Sequence, residues 1–135
     1  MESNSSEMRT FTIDEAQALI PRLRRLLSKV AAERDALIEM QPEIQKAREQ
    51  SKIGGGSPIG PAYIRTLFSF TAAVTDIEGL GVLVKDLQKG LVDFPHERDG
   101  RIVFLCWKPD ENEIGWWHEV DTGFAGRMPL GLDSE

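Results

Sequence analysis

The chain has 135 residues, 41% of them hydrophobic, and a formal net charge of -6. That is the length of one ordinary domain, with enough apolar content to fill a core. The acidic balance argues against a nucleic-acid binder, which presents a clustered basic face, and more weakly against an anionic membrane surface. Cys106 is the only cysteine, which rules out an intrachain disulfide and a multi-thiolate zinc finger or ribbon.

A lone thiol beside Trp107 in an apolar run fits a reducing cytoplasm. The start, MESNSSEMRT, lacks the apolar stretch of a signal peptide, and no run reaches the length of a membrane span. Residues 1–9 are expected to be loose.

The first element begins at Thr12. Thr12 and Glu15 have capping-box spacing, and Asp14 adds negative charge at the positive end of the helix dipole. Ala16, Ile20, Leu23, Leu27, Val30 and Leu37 recur at steps of three and four, with a longer step before Leu37. They predict one long amphipathic helix over about 12–50. Pro21 and Pro42 each remove a helical hydrogen bond and are expected to bend it. Unbroken, such a helix would span roughly 58 Å, which calls for a bend, a projection or cover from a second protomer. Arg22, Arg25 and Lys29 share one face, read as solvated.

SKIGGGSPIGP, residues 51–61, is expected to be a flexible turn. Its glycines lack the lysine and the preceding strand of a P-loop. A second helix is predicted over about 61–80, from the seam Tyr63, Leu67, Phe70, Val74 and Ile77. The short link makes the two helices an antiparallel hairpin.

After Gly81 the period changes. Leu91–Phe94, Arg101–Trp107 and Ile114–Asp121 read as strands, and 82–86 is a candidate fourth. Asp99-Gly100 signals a two-residue hairpin, pairing Arg98 with Arg101 and Phe94 with Leu105. If Trp107 faces Ile114, Leu105 opposes Trp116 and Val103 opposes His118. A slip of one residue inverts that strand. The residues after Asp121 are expected to be coil. The expectation is an α+β fold in a single domain, with a long antiparallel helical hairpin (11–81) packed on a small three- to four-stranded antiparallel sheet (82–135).

In that register one face carries Val92, Phe94, His96, Leu105, Trp116 and His118 and covers the helices. His96 and His118 are then structural. The other face carries Asp93, Cys106, Trp117, Glu119 and Asp121, with Arg127 in the coil above it, and is the candidate ligand-binding set. Asp93, Glu119 and Asp121 are the candidate carboxylates for a divalent metal or for acid and base work. A Cys106–His118 nucleophile pair is disfavoured, because those residues fall on opposite faces. Arg127, beside Gly126, is suited to an anion or to a salt bridge that ties down the tail.

TIDEAQALIPRLRRLL, GLGVLVKDLQKGLVDFP, GRIVFLCWK and WWHEVDTGFAGRMPL together resemble a prokaryotic family classed as domain of unknown function number 2203, over about residues 10–130. The resemblance implies a small cytosolic protein and carries no activity, substrate or catalytic residue. Three readings follow from the residues. The first is a non-catalytic assembly protein, a homodimer through its long helix. The second is a module for a small ligand or divalent metal on the polar sheet face. The third is an enzyme with carboxylate acid and base groups.

Overall fold

A computed structural model describes residues 9–51 and 59–133. The glycine turn at 54–56 and residues 1–8 lie outside them. The element order is α1 (Ile13–Ser51), α2 (Ile59–Gly79), β1 (Leu83–Asp86), β2 (Leu91–Arg98), β3 (Arg101–Trp107), β4 (Trp116–His118) and β5 (Met128–Pro129). The class is α+β, as the sequence predicts. None of the described helices is long and apolar enough to cross a membrane.

α1 starts where the capping box places it. Thr12 N–H donates to Glu15 Oε1 at 2.8 Å and Glu15 N–H to Thr12 Oγ1 at 3.0 Å. The helix then continues through Pro21 and Pro42. The chain divides into two compact units, one of Met1–Arg25 with Ile77–Glu135 and one of Leu26–Asp76.

The Leu26–Asp76 unit is helical in its described residues. Leu27, Val30 and Ala73 are its buried apolar residues. Lys29 bonds both Glu33 and Ser69, and the Ser69 hydroxyl donates to Glu33 at 2.6 Å. These bonds join the two helices. Ile38, Ile64 and Phe68 are exposed, Phe68 to 70%.

The other unit holds the sheet, in the order β1-β2-β3-β4-β5, every neighbouring pair antiparallel. Asp99 and Gly100 both have positive φ, 53° and 79°, as a two-residue hairpin of this kind requires. The pairs Arg98–Arg101 and Phe94–Leu105 form as expected, and His96 pairs with Val103 between them.

The next connection departs from expectation. Cys106 pairs with Trp116, Leu105 with Trp117 and Phe104 with His118, one residue away from the predicted register. The physical reason lies in the loop. Glu111 N–H closes a turn on Lys108 O, and Ile114 N–H donates to Gln17 Oε1 at 2.8 Å instead of extending the ladder. No two-residue turn sets the register there. Either ring of the Trp116-Trp117 pair could serve the core, and Trp117 does, buried opposite Leu105.

Two further differences concern the sheet edges. β5, in the segment read as coil, pairs with β4 through Trp116–Pro129 and Trp117–Met128. In β1 the register shifts between Val84 and Asp86, which leaves Lys85 as the extra residue of a bulge.

The core of this unit lies on the sheet face carrying Val92, Phe94, Val103, Leu105, Trp107 and Trp117, all buried. Phe11 meets Phe94 edge to face at 5.5 Å, and Ile20, Leu23 and Ile77 are buried with them. The start of α1 is tied to the β3–β4 loop. Arg24 donates to the carbonyls of Pro109 and Glu111 and lies over the Trp107 ring, whose Nε1–H also reaches Glu111 O. His96 donates from Nδ1 to Phe11 O at 2.7 Å.

Candidate metal centre

The shifted register has a chemical consequence. Side chains alternate across a strand, and paired residues share a face. Asp93 pairs with Cys106, and His118 pairs with Phe104, two residues from Cys106. His118 therefore joins Asp93 and Cys106, and Trp117 and Glu119 leave them. The expectation that His118 and Trp116 belong to the core face is corrected accordingly.

Asp93, Cys106 and His118 are all buried, and one ligand atom from each lies within 4.8 Å of the others. His118 Nε2 is 3.0 Å from Asp93 Oδ2. His118 Nδ1 is 2.7 Å from the carbonyl oxygen of Glu119. A carbonyl only accepts, so Nδ1 carries a hydrogen and donates it. That bond fixes the tautomer and aims Nε2 at the cluster, the support that metal-ligating histidines usually have.

Asp93 Oδ1 is buried and has no hydrogen-bond partner. Buried polar atoms are rarely left so, because each costs about 1–3 kcal/mol in lost solvation.

Burial raises the Asp93 carboxyl above its ordinary range, against the opposing pull of His118 and Lys85. Burial also pushes the Cys106 thiol up to about 12, and the nearby Asp93 charge adds to this. The thiol of the metal-free protein is therefore protonated at neutral pH, which removes it as a free nucleophile. A bound cation reverses that balance by stabilising the thiolate and the carboxylate.

The donor set is one carboxylate oxygen, one thiol sulfur and one imidazole nitrogen. Ligand atoms on a tetrahedral zinc ion stand roughly 3.3–3.8 Å apart, from bond lengths of about 2.0–2.3 Å. The Asp93–His118 pair, 3.0 Å apart, opens slightly to reach that spacing, and every ligand atom of the cluster already lies within 4.8 Å of the others. Sulfur and nitrogen favour zinc or a neighbouring transition metal over magnesium or calcium.

A cavity of about 130 Å³ adjoins the cluster, lined by Asp93 and His118 together with Lys85, Val120, Gly123 and Phe124. The bulge brings Lys85 to its wall. Phe124 comes from the short 3-10 turn Phe124–Gly126, entered through Gly123 at φ 69° and ψ -169°, a conformation essentially confined to glycine. Gly126 closes the turn on Thr122, where a Cβ would stand 2.5 Å from the Thr122 Cβ. The tail thus lies beside the candidate face, as the sequence suggests.

The remaining expected site residues lie elsewhere. Glu119 is ion-paired with Arg101, which holds its carboxyl below the usual range. Asp121 is exposed. The expected carboxylate set of Asp93, Glu119 and Asp121 is therefore not brought together. Trp117 sits in the core with Arg98 over its ring at 4.4 Å. Arg127 pairs with Glu111 and lies between Trp116 and Phe124, 4.3 and 4.6 Å from their ring centres. It fastens the tail and is spoken for as an anion receptor.

The residues that sequence reasoning set aside are His118, as a partner of Asp93 and Cys106, and Lys85. The signal for His118 was the alternative register of β4. Lys85 carried none.

Searches of curated proteins and of solved structures find no match to this chain. The family model described as Uncharacterized conserved protein (DUF2203) matches residues 9–130, so the match spans all three cluster residues, and the chain belongs to that family.

Proposed function

We propose that this protein is a transition-metal-binding module, with zinc its foremost ion, held by Asp93, Cys106 and His118. The observation that carries the reading is the convergence of three buried, chemically different donors, one of them with the unpartnered oxygen Asp93 Oδ1. Hydrophobic packing alone gives no reason to bury an aspartate beside a histidine and a thiol. Three protein ligands with a fourth position facing a cavity is the pattern of reactive rather than purely structural zinc sites. A reducing, cytoplasmic setting keeps Cys106 available as a ligand.

The test is metal analysis of protein purified without chelators, followed by cobalt(II) titration of the stripped protein. The expected result is one ion per chain and an intense thiolate-to-cobalt absorption. Both should be lost in Cys106→Ala and His118→Ala variants that remain folded. A folded wild-type protein that takes up neither zinc nor cobalt at micromolar concentrations defeats the reading.

A second reading concerns assembly. Ile64 and Phe68 lie one turn apart on α2 and are exposed. An uncharged stripe suits a two-fold contact, where an unpaired charge would sit close to its own copy. On this reading two copies associate as a homodimer through that stripe of α2, in place of the long-helix contact expected from the sequence. Sedimentation of the wild type as a dimer and of Phe68→Glu as a monomer is the expected outcome. A wild-type monomer at high concentration removes it.

A further inference from the structure

The metal reading leaves a fourth coordination position, and the charges around it are unequal. A divalent ion held by the Asp93 carboxylate, the Cys106 thiolate and a neutral His118 forms a centre of zero net charge. Lys85 then stands at the wall of the adjoining cavity with a full positive charge. Its ammonium lies 5.1 Å from the centre of the Phe104 ring, and among the described residues it forms no ion pair. Bulges re-aim side chains and are over-represented next to functional sites, and this one brings Lys85 to the wall that Asp93 and His118 also line.

A second space lies next to the cavity. Leu91 and Phe124 line the cavity and also line a cleft of about 780 Å³. Lys108 in that cleft is already paired with Asp110, at 2.8 and 2.9 Å. Asp86 accepts a backbone bond from Lys89. The apolar part of the cleft is made by Leu91, Pro109 and Phe124. The two spaces therefore differ in character. The small one places Lys85 beside Asp93 and His118 against the apolar side chains Leu91, Val120 and Phe124, while the large one lies away from the cluster and holds no cluster residue.

Resting on the metal reading, we infer that the centre receives a small organic anion: an oxyanion head at the fourth metal position beside Lys85, and an apolar body extending past Phe124 into the cleft. The cavity volume suits a carboxylate or phosphate group and excludes a folded peptide. The head is recognised by charge and by the ion, the body by Leu91, Pro109 and Phe124.

The experiment uses the full-length protein loaded with cobalt(II), titrated in turn with acetate, inorganic phosphate and hexanoate, and read by the visible ligand-field bands. Acetate and phosphate are expected to shift the bands saturably. Hexanoate should bind at least tenfold tighter than acetate, since its added methylenes reach the apolar cleft. Lys85→Met should weaken acetate binding about tenfold with cobalt uptake unchanged, and Lys85→Arg should restore it. Cobalt bands that no anion moves overturn the inference while leaving the metal reading intact. So does equal acetate affinity in wild type and Lys85→Met, or hexanoate no tighter than acetate. Failure to bind cobalt at all defeats the metal reading itself and is separately visible before any anion is added.

Discussion

Asp93 Oδ2 and His118 Nε2 stand 3.0 Å apart, on the two strands that flank β3, with His118 Nδ1 already committed to the Glu119 carbonyl. The buried Cys106 thiol, pushed up to about 12, holds a proton that a metal ion must displace. Zinc binding at pH 7 is expected to release at least one proton per ion. Calorimetry in buffers of different ionisation enthalpy measures this directly, and a buffer-independent heat would contradict it.

The raised thiol gives a second expectation. Cys106 ionises near 9.0 in an ordinary setting and at about 12 in the fold. Its contribution to the stability of the metal-free protein is fully present below pH 9 and is lost as pH rises toward 12, because the unfolded chain gives up the proton first. Chemical denaturation across that window should show stability falling with pH, with a smaller slope in Cys106→Ala. At pH 8 the native thiol should react with a disulfide reagent far more slowly than the unfolded thiol.

Asp93→Asn separates packing from ligation. Burial raises the Asp93 carboxyl, so its contribution to metal-free stability is greatest below the ordinary value of 3.8 and is lost as pH rises through its higher folded value. An amide of the same shape carries no charge to desolvate and can donate to His118 Nε2. The variant is expected to be as stable as the wild type at pH 7, or more stable by about 1 kcal/mol, while its zinc affinity falls at least tenfold. A loss of stability with unchanged zinc affinity would assign Asp93 a structural role only.

Arg127→Lys probes the tail. Lysine retains charge but lacks the flat guanidinium that stacks between Trp116 and Phe124. The expected cost is about 1–2 kcal/mol in unfolding free energy, with a change in tryptophan fluorescence from Trp116. An unchanged denaturation midpoint would show that the stacking contributes nothing.

Gly126→Ala tests the close approach at the 3-10 turn. The added Cβ meets Thr122 inside contact distance, so the turn must open and carry Phe124 with it. Destabilisation of about 1–3 kcal/mol is expected, and Thr122→Ala in the same chain should recover part of it by enlarging the space. A double variant no more stable than the single one would place the strain elsewhere.

Much of this fold was legible in the sequence because local chemistry fixes it. Thr12 and Glu15 announce the start of α1, and Asp99-Gly100 dictates the β2–β3 register down to individual pairs. Legibility stops where the controlling contact is distant. Gln17 capturing the Ile114 N–H, and Arg24 holding the Pro109 and Glu111 carbonyls, set the β3–β4 connection from nearly a hundred residues away. Adjacent tryptophans then give no parity signal of their own. That single ambiguity hid His118 from Asp93 and Cys106, and it directed attention to Glu119 and Asp121. β5 was missed for a related reason, since a two-residue strand containing Pro129 has no periodicity to detect.

The Asp93–His118 pair also bears on how β4 is chosen during folding. β4 is only three residues long, and no tight turn precedes it. Sliding it by one residue would present Trp117 or Glu119 to Asp93 in place of the imidazole, and would push His118 among the aromatic rings of the core. Most strands guard against such slippage through many small packing differences. Here one imidazole answering one carboxylate across the intervening strand rejects the wrong alignment, so the sheet carries its own check on being correctly assembled.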